Sequence, residues 1–339
     1  MSSISAGTTT GTGLVHTSDT TGDYVIKTGA SATTAMTISG TDQSVTFAGV
    51  VGGVRQINSI SASVGASALT ISASALSLDF RSATIGSGTV TTVSGTPSNL
   101  VISSGSTLGS GSAVLTRLVV YAINNAGTIE LAVANHAGGP VLSETGLIST
   151  TAEGGAGGAD SLTTAYSTTA RSSVAYRVLG YIEYTQATAG TYATAPSLIQ
   201  GMGAQALEGL KSQWYTPVYA AGDFTASSGS WTVDSGDVVN YRYSINGKTM
   251  TINWYIGATS TSGSPANIRI ALPAGKTANG NFAVWHGVNQ GGGWATAALT
   301  VTSGQAFLTL YPDSTQGGAA WTNVSNVLYT VGSVTLEIN

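Results

Sequence analysis

The chain has 339 residues, of which only 8% are charged, with a formal net charge of −4, 45 glycines and no cysteine. Catalysis needs clustered titratable groups, nucleic-acid binding needs rows of basic residues and disulfide scaffolds need cysteine, so these classes are disfavoured. A hydrophobic content of 42% argues against disorder and favours a strand-rich, chemically quiet structural protein that is not an enzyme.

The low charge also bears on assembly and location. Exposed sheet edges would have little electrostatic repulsion, so we expect oligomerisation to cover them. The sequence contains no run of 18 apolar residues, so no membrane span is predicted. The run from Met1 to Thr10 lacks the basic and apolar parts of a secretory signal, so we expect synthesis in a cytoplasm and export, if at all, as part of a particle.

Residues 1–53 are rich in threonine and glycine and contain short apolar alternations. These are Leu14-Val15, Tyr24–Ile26, Met36–Ile38 and Val45–Phe47, separated by turn residues. The pattern predicts short strands with too little core to fold alone. We interpret the segment as a shaft or attachment segment that is stabilised when chains wrap around one another.

Residues 54–203 are predicted to form a β-sandwich. Period two places Leu76, Leu78 and Phe80 on one face of a strand. Asn124–Gly127 is a good hairpin loop between two apolar runs. The run Tyr176–Tyr184 has apolar residues on both faces, which predicts a central strand.

Residues 204–213 form the one predicted helix, with Leu207 and Leu210 three positions apart. A helix of ten residues with an internal glycine is only marginally stable by itself. The segment is either a three-stranded bundle that keeps a fibre in register or a single linker turn packed on one domain.

Residues 214–339 are predicted to form a second, jelly-roll-like sandwich. Asn246-Gly247 is a type I′ turn dipeptide. Counting outward from it places Tyr243 opposite Met250, Tyr241 opposite Ile252 and Val239 opposite Trp254, all on one buried face. Further strands are predicted over 268–272, 282–285, 306–311 and 331–338.

Two segments imitate nucleotide-binding motifs. Gly201–Ala206 resembles a dinucleotide fingerprint, but no βαβ unit surrounds it. Gly247-Lys-Thr249 ends like a phosphate-binding loop, but the required earlier glycine is Arg242 and the segment is a hairpin. We expect no nucleotide site.

Metal and cofactor sites are not expected either. His16, Asp19 and Asp23 are close in sequence, but their spacing fits no calcium loop and they are too few for a stable site. Aspartates in such turns ordinarily serve turn geometry.

Candidate catalytic groups are sparse. His136 and His286 are isolated, and no Gly-x-Ser-x-Gly elbow stands between a strand and a helix. Acidic residues cluster only at Asp223, Asp234 and Asp237, at strand ends, which does not favour a paired-carboxylate glycosidase site.

Tryptophans are the strongest candidates for binding. Trp231, Trp285, Trp294 and Trp321 stand beside turns rich in glycine, serine and asparagine. An exposed indole near amides can stack on a sugar ring or a protein surface. Core packing is the alternative, weighed equally for Trp294 and Trp321, and it is expected for Trp254.

Several of these segments resemble tailed-bacteriophage tail-fibre-like virion proteins. Ala6–Val15 is similar to a segment recurrent in phage tail proteins, Asn124–Val133 and Ser149–Gly155 to a module of tail-fibre-like proteins, and Gly247–Ile252 and Arg269–Pro273 to a terminal fibre domain. The resemblance implies a virion structural protein, commonly trimeric, and carries over no catalytic residues.

The combined expectation is a short homotrimeric tail fibre located in the virion. The N-terminal segment would attach to other virion proteins, and the C-terminal domain would bind a host-surface glycan or protein. A capsid-decorating or head-fibre protein without a receptor role is the alternative. A polysaccharide depolymerase is less favoured because carboxylates are sparse.

Overall fold

A computed structural model describes residues 24–28, 33–38, 45–47, 58–203, 213–315 and 319–339. The chain forms two compact units, Met1–Arg55 and Gln56–Asn339. The predicted all-β class is confirmed, and the described residues contain no helix long and apolar enough to cross a membrane. The predicted helix over 204–213 lies outside the described residues except for Gln213, as does most of the predicted N-terminal segment, including His16, Asp19 and Asp23.

Within its described residues, the first unit contains one antiparallel sheet of three strands, in the order β1-β2-β3. The strands are β1 (Tyr24–Thr28), β2 (Thr33–Ile38) and β3 (Val45–Phe47). Three of the four predicted apolar alternations therefore form strands, and Leu14-Val15 lies outside the described residues.

The middle region, residues 58–203, contains twelve described strands in three sheets. The strands are β4 (Ile60–Gly65), β5 (Ala68–Ala73), β6 (Leu76–Arg81), β7 (Val90–Gly95), β8 (Leu100–Ile102), β9 (Leu115–Asn125), β10 (Thr128–Asn135), β11 (Ile148–Ala152), β12 (Tyr166–Ser167), β13 (Arg171–Val174), β14 (Tyr176–Thr185) and β15 (Leu198–Gln200), with 3-10 turns at Ile85–Ser87 and His136–Gly138. The sheet orders are β13-β11-β12-β10-β9-β14-β15, β4-β5-β8 and β6-β7.

The two small sheets cover one face of the seven-stranded sheet. Leu69, Ile71, Phe80 and Ile102 of the small sheets share one buried cluster with alternate residues of β9, β10 and β14, such as Leu118. The opposite face of the same strands is buried in a second cluster. Strands β9 and β14 are therefore buried on both faces, as the apolar run in β14 predicts.

The hairpin predicted around residues 124–127 is confirmed. Asn125 pairs with Thr128, which leaves Ala126 and Gly127 as a two-residue loop. Both have positive φ angles, 47° and 92°, as a type I′ turn requires.

The C-terminal region, residues 213–339, contains nine strands in one sheet within the described residues. The strands are β16 (Phe224–Ala226), β17 (Ser230–Thr232), β18 (Val238–Asn246), β19 (Thr249–Ser262), β20 (Ile268–Ala271), β21 (Phe282–Gln290), β22 (Ala295–Val301), β23 (Phe307–Leu310) and β24 (Val324–Glu337), with 3-10 turns at Ala221–Asp223, Ser235–Asp237 and Pro273–Gly275. The sheet order is β16-β20-β23-β22-β21-β24-β19-β17, and β18 also pairs with β19.

This sheet folds over on itself and encloses one core. Phe224 of β16 and Trp231 of β17 lie at opposite ends of the strand order, yet their rings meet edge to face at 5.6 Å. Trp254, Leu299, Leu310 and other residues from nearly every strand join the same buried cluster, as in a sandwich.

The hairpin predicted at Asn246-Gly247 exists, but its register differs from the prediction. Asn246 pairs with Thr249, so Gly247 and Lys248 form the loop, with Gly247 at φ 60°. Glycine with positive φ at the first loop position fits a type II′ turn rather than type I′.

The predicted pairs move by two residues as a consequence. Tyr243 lies opposite Ile252 and Tyr241 opposite Trp254. A shift of two preserves the faces, so these residues are buried as predicted. Val239 is the exception, because a register irregularity between Val238 and Asn240 leaves its side chain 64% exposed.

Candidate functional site: an exposed aromatic surface on the C-terminal sheet

Two of the four tryptophans predicted to bind at the surface are buried, which corrects that expectation. Trp231 is 5% exposed and Trp321 is 0% exposed. Trp231 donates from Nε1 to Thr259 Oγ1 at 2.9 Å, because strand alternation directs it inward between two exposed neighbours. The backbone N–H of Trp321 bonds to the Pro265 carbonyl, and its indole Nε1 donates to the Leu310 carbonyl inside the core.

The other two predicted tryptophans are exposed, Trp285 by 59% and Trp294 by 54%. Trp285 lies on β21, where alternation places Trp285, Gly287 and Asn289 on the outer face and His286 and Val288 in the interior. Trp294 follows β21 in the loop to β22. The structure therefore brings these two indoles to the outer face of one sheet.

Trp294 folds back onto this face and packs between two tyrosines. Its ring centroid lies 6.4 Å from that of Tyr255 on β19 and 6.4 Å from that of Tyr329 on β24. Both pairs are tilted, a favourable arrangement for aromatic quadrupoles. We call the three residues Tyr255, Trp294 and Tyr329 the aromatic plate.

Two glycines form the floor under the plate. A Cβ on Gly287 would lie 3.4 Å from Cε3 of Trp294, and a Cβ on Gly257 would lie 2.5 Å from Cδ1 of Tyr329. Large rings thus pack against strand positions that lack side chains, an arrangement that compensates for the weak packing of strand glycines.

The loop that carries Trp294 is shaped by Asn289. Its Oδ1 accepts hydrogen bonds from the N–H groups of Gly291 at 2.8 Å and Gly293 at 3.3 Å. Gly291 and Gly293 have φ angles of 89° and 112°, which other residues rarely adopt. The Gln-Gly-Gly-Gly run is therefore needed to turn the chain back over the sheet.

Gln290 fixes the start of the same loop. Its Oε1 accepts from the backbone N–H of Thr322 at 3.0 Å and from Thr322 Oγ1 at 2.7 Å. Its side-chain N–H groups have no hydrogen-bond partner among the described residues. The plate itself presents fixed, uncharged rings on the outer face, an arrangement suited to a ligand that has an apolar face.

The isolated histidines have structural environments. His286 lies in the core, where Nε2 is hydrogen-bonded to the Tyr311 carbonyl at 3.1 Å and Nδ1 lies within hydrogen-bonding distance of Thr330 Oγ1 and of the Gly287 carbonyl. Burial lowers its pKa, so the imidazole is neutral. His136 Nδ1 accepts from the hydroxyl of Tyr215, and burial together with the charge of Arg117 lowers its pKa to about 4.

The acidic residues singled out above serve turns. At the 3-10 turn Ser235–Asp237, the backbone N–H of Asp234 donates to Asp237 Oδ2 at 2.8 Å, and the N–H of Asp237 donates to the Asp234 carbonyl. Burial raises the pKa of Asp223 at the end of another such turn. No group of three or more potential metal ligands occurs in the part of the chain that the structure describes.

Sequence reasoning located Trp294 but missed Tyr255, Tyr329 and the glycine floor. The available signal was Gly257 and Gly287 inside strand patterns, because a strand glycine often marks a close approach. Which ring lies over which glycine depends on the pairing of β19, β24 and β21, and this pairing is not local in sequence.

Comparison with known proteins gives no relative: no family model, curated protein or solved structure matches the chain. Function is therefore argued from the geometry of the surface.

Proposed function

We propose that the chain is a phage virion structural protein, a short homotrimeric tail fibre. In this proposal, residues 1–53 attach it to other virion proteins, and the C-terminal region binds a host-surface glycan or protein. The observation that carries the proposal is the aromatic plate, since a pre-formed, uncharged and exposed ring surface is typical of a recognition site.

Chemistry favours a glycan face as the ligand of the plate. The C–H groups on one face of a pyranose are weakly positive and attract the negative π faces of Trp294 and its neighbours. The exposed indole N–H of Trp294 can donate to a sugar hydroxyl. Each such contact is weak, so three copies in one fibre would provide the affinity through valency.

Exposed apolar residues on strands at sheet edges support a trimer. Val90 on β7, Val101 on β8 and Leu198 and Ile199 on β15 are exposed, and each of these strands is the last in its sheet. Such edges associate unless they are covered. The solution mass of the purified full chain tests this point, with three times the 33.9 kDa chain mass expected and a monomer contradicting it.

The host-binding part of the proposal is tested by adsorption of labelled protein to host cells. Trp294→Ala is expected to weaken binding by at least about tenfold, since truncating a central tryptophan removes most of a small binding site's energy. Ile85→Ala is the matched control, because Ile85 is an exposed apolar residue of the middle region. Equal binding by W294A and the wild type would contradict the proposal.

The position on the virion distinguishes the fibre from a decorating protein. Antibody labelling by electron microscopy is expected at the tail. Labelling confined to the head would instead support the capsid-decorating alternative, for which the same exposed edges would contact neighbouring capsid proteins.

A further inference from the structure

Two Asn-Gly dipeptides occur in the sequence, Asn246-Gly247 and Asn279-Gly280. An asparagine followed by glycine cyclises readily, because glycine has no Cβ to hinder the approach of its backbone nitrogen to the asparagine side chain. Both asparagines are exposed, so water reaches both side chains. The structure nevertheless places the two dipeptides in different environments, which makes them a matched pair within one chain.

Asn279 is held by both its side chain and its backbone. Its side-chain Nδ2 donates to Glu337 Oε1 at 2.8 Å, and its backbone N–H donates to the Glu337 carbonyl at 2.8 Å. The ring of Phe282 lies beside Gly280, 3.3 Å from where a Cβ would be. Cyclisation requires the side-chain amide to rotate towards the next backbone nitrogen, so the hydrogen bond to Glu337 must break first.

Asn246 lies at the tip of the hairpin formed by β18 and β19. Its pairing with Thr249 is the last of the ladder, and a terminal pair opens at a smaller free-energy cost than an internal one. Gly247 takes no part in the ladder, and nothing lies within 4 Å of where its Cβ would be. The Asn246 side chain forms no hydrogen bond to a described residue. The fold therefore leaves this amide free to rotate towards the nitrogen of Gly247.

We propose that Asn246 is a site of spontaneous modification in the folded chain, where its side-chain amide is converted to aspartate and isoaspartate, and that Asn279 is protected. The nitrogen of Gly247 forms a bond to Cγ of Asn246, the bond from Cγ to the side-chain nitrogen breaks, and ammonia leaves with the proton of the Gly247 N–H. Water then adds to one of the two carbonyls of the succinimide ring and opens it. Opening at one carbonyl gives aspartate and opening at the other gives isoaspartate, so water is the only other reactant.

The modification changes the hairpin tip in two ways. Either product carries a carboxylate in place of the amide, two residues before Lys248. In isoaspartate the chain continues through the side chain, so the connection gains one backbone atom and no longer fits a two-residue turn. Ile245 at the same tip packs beside Gly139 of the middle region, with Cδ1 3.2 Å from where a Cβ of Gly139 would be. The site is separate from the aromatic plate and does not rest on the function proposed for the plate.

The experiment incubates the purified full chain at neutral pH and physiological temperature. Tryptic peptides 243–248 and 277–339 contain the two sites, and fragment-ion mass spectrometry follows each over time. Asn246 is expected to convert at least about fivefold faster than Asn279, the factor that one hydrogen bond of ordinary strength provides. A protein isoaspartate methyltransferase, which accepts isoaspartate but not L-aspartate, identifies the product. Equal conversion of the two asparagines, or none at Asn246, would overturn the proposal.

Unfolding separates the role of the fold from that of the local sequence. In concentrated urea the two dipeptides are equally accessible, so their rates are expected to agree within about twofold, because glycine follows each asparagine. A difference in urea as large as that in the folded chain would assign it to the local sequence and overturn the protection by the fold.

Two variants form a further matched pair. Glu337→Ala removes the acceptor of the Asn279 amide, so it is expected to raise conversion at Asn279 about fivefold and to leave Asn246 unchanged. Thr335→Ala is the control, because Thr335 is exposed on the same strand but bonds to Thr251. No acceleration at Asn279 in E337A, or an equal acceleration in T335A, would overturn the protection by Glu337.

Discussion

The inner and outer faces of the C-terminal sheet both carry tryptophan, but the two groups differ in whether the indole N–H has a hydrogen-bond partner. Inside, Trp231 and Trp254 donate from Nε1 to Thr259 and Thr330. Outside, the N–H groups of Trp285 and Trp294 have no hydrogen-bond partner among the described residues. A buried N–H without a partner is costly, whereas an exposed one can bond to water or to a ligand.

This difference separates tryptophans that build the fold from those free to bind. The inner ones belong to hydrogen-bonded chains: Trp254 donates to Thr330 Oγ1, which is also hydrogen-bonded to His286 Nδ1. On the outer face, Trp294 is positioned by its ring contacts with Tyr255 and Tyr329 and by the geometry of its loop. Buried and exposed tryptophans both occur on strands, so being on a strand does not separate them. The presence of a hydrogen bond from the indole N–H does.

The largest effect expected from this comparison is on Trp254. Trp254→Ala should lower the free energy of unfolding by about 3–5 kcal/mol, because it removes a buried ring and leaves a cavity against Gly332. Trp285→Ala, on the outer face, should change it by less than about 0.5 kcal/mol. Urea unfolding of both variants measures the difference, and similar losses would show that the two faces are not energetically distinct.

A second effect concerns the buried imidazole of His136, whose pKa is lowered to about 4 from about 6.5 in the unfolded chain. The unfolded chain binds the proton first as the pH falls, so the free energy of unfolding should decrease between about pH 6.5 and pH 4. Between a pH well above 6.5 and a pH well below 4, the contribution of His136 to the free energy of unfolding should fall by about 3 kcal/mol in total.

Unfolding by urea at pH 7, 5 and 4 measures this dependence. In His136→Gln the amide oxygen can still accept from Tyr215, but the side chain does not titrate, so the decrease should be smaller. The same decrease in both proteins would mean that His136 is not held neutral by burial.

The smallest effect of the three tests the floor of the plate. Gly257→Ala places a Cβ 2.5 Å from the ring of Tyr329, so the ring must move, at a cost of about 1–3 kcal/mol. The control is Gly292→Ala, where a Cβ has nothing within 4 Å and the φ angle is not positive. Thermal unfolding gives the stability of each variant, and the ring signals of Tyr329 in NMR spectra report its displacement. No change in G257A would mean that the glycine is not needed for the plate.

Local sequence rules predicted the elements well. Alternation located Leu76 and Phe80 on one buried face, and the loops after Asn124 and near Gly247 were found from turn chemistry. The register at Gly247 was wrong because both Asn-Gly as type I′ and Gly-Lys as type II′ close a two-residue hairpin. The dipeptide does not choose between them, whereas the pairing of the whole strand does.

The exposure of the tryptophans could not be predicted in the same way. Period two states that Trp285 and Gly287 share a face, but it does not state which face other strands will cover. Trp321 follows a glycine-rich run in the sequence just as Trp294 does, yet it is buried, and its backbone N–H bonds to the carbonyl of the distant Pro265.

The sequence by itself determined the all-β class, the low-charge surface, most strands and the parity of their faces, since these depend on composition and on neighbours in the chain. The tertiary structure alone decided which tryptophans are buried and that Tyr255 and Tyr329 flank Trp294. These arrangements depend on pairing between residues tens of positions apart, and local preferences carry no information about such pairing.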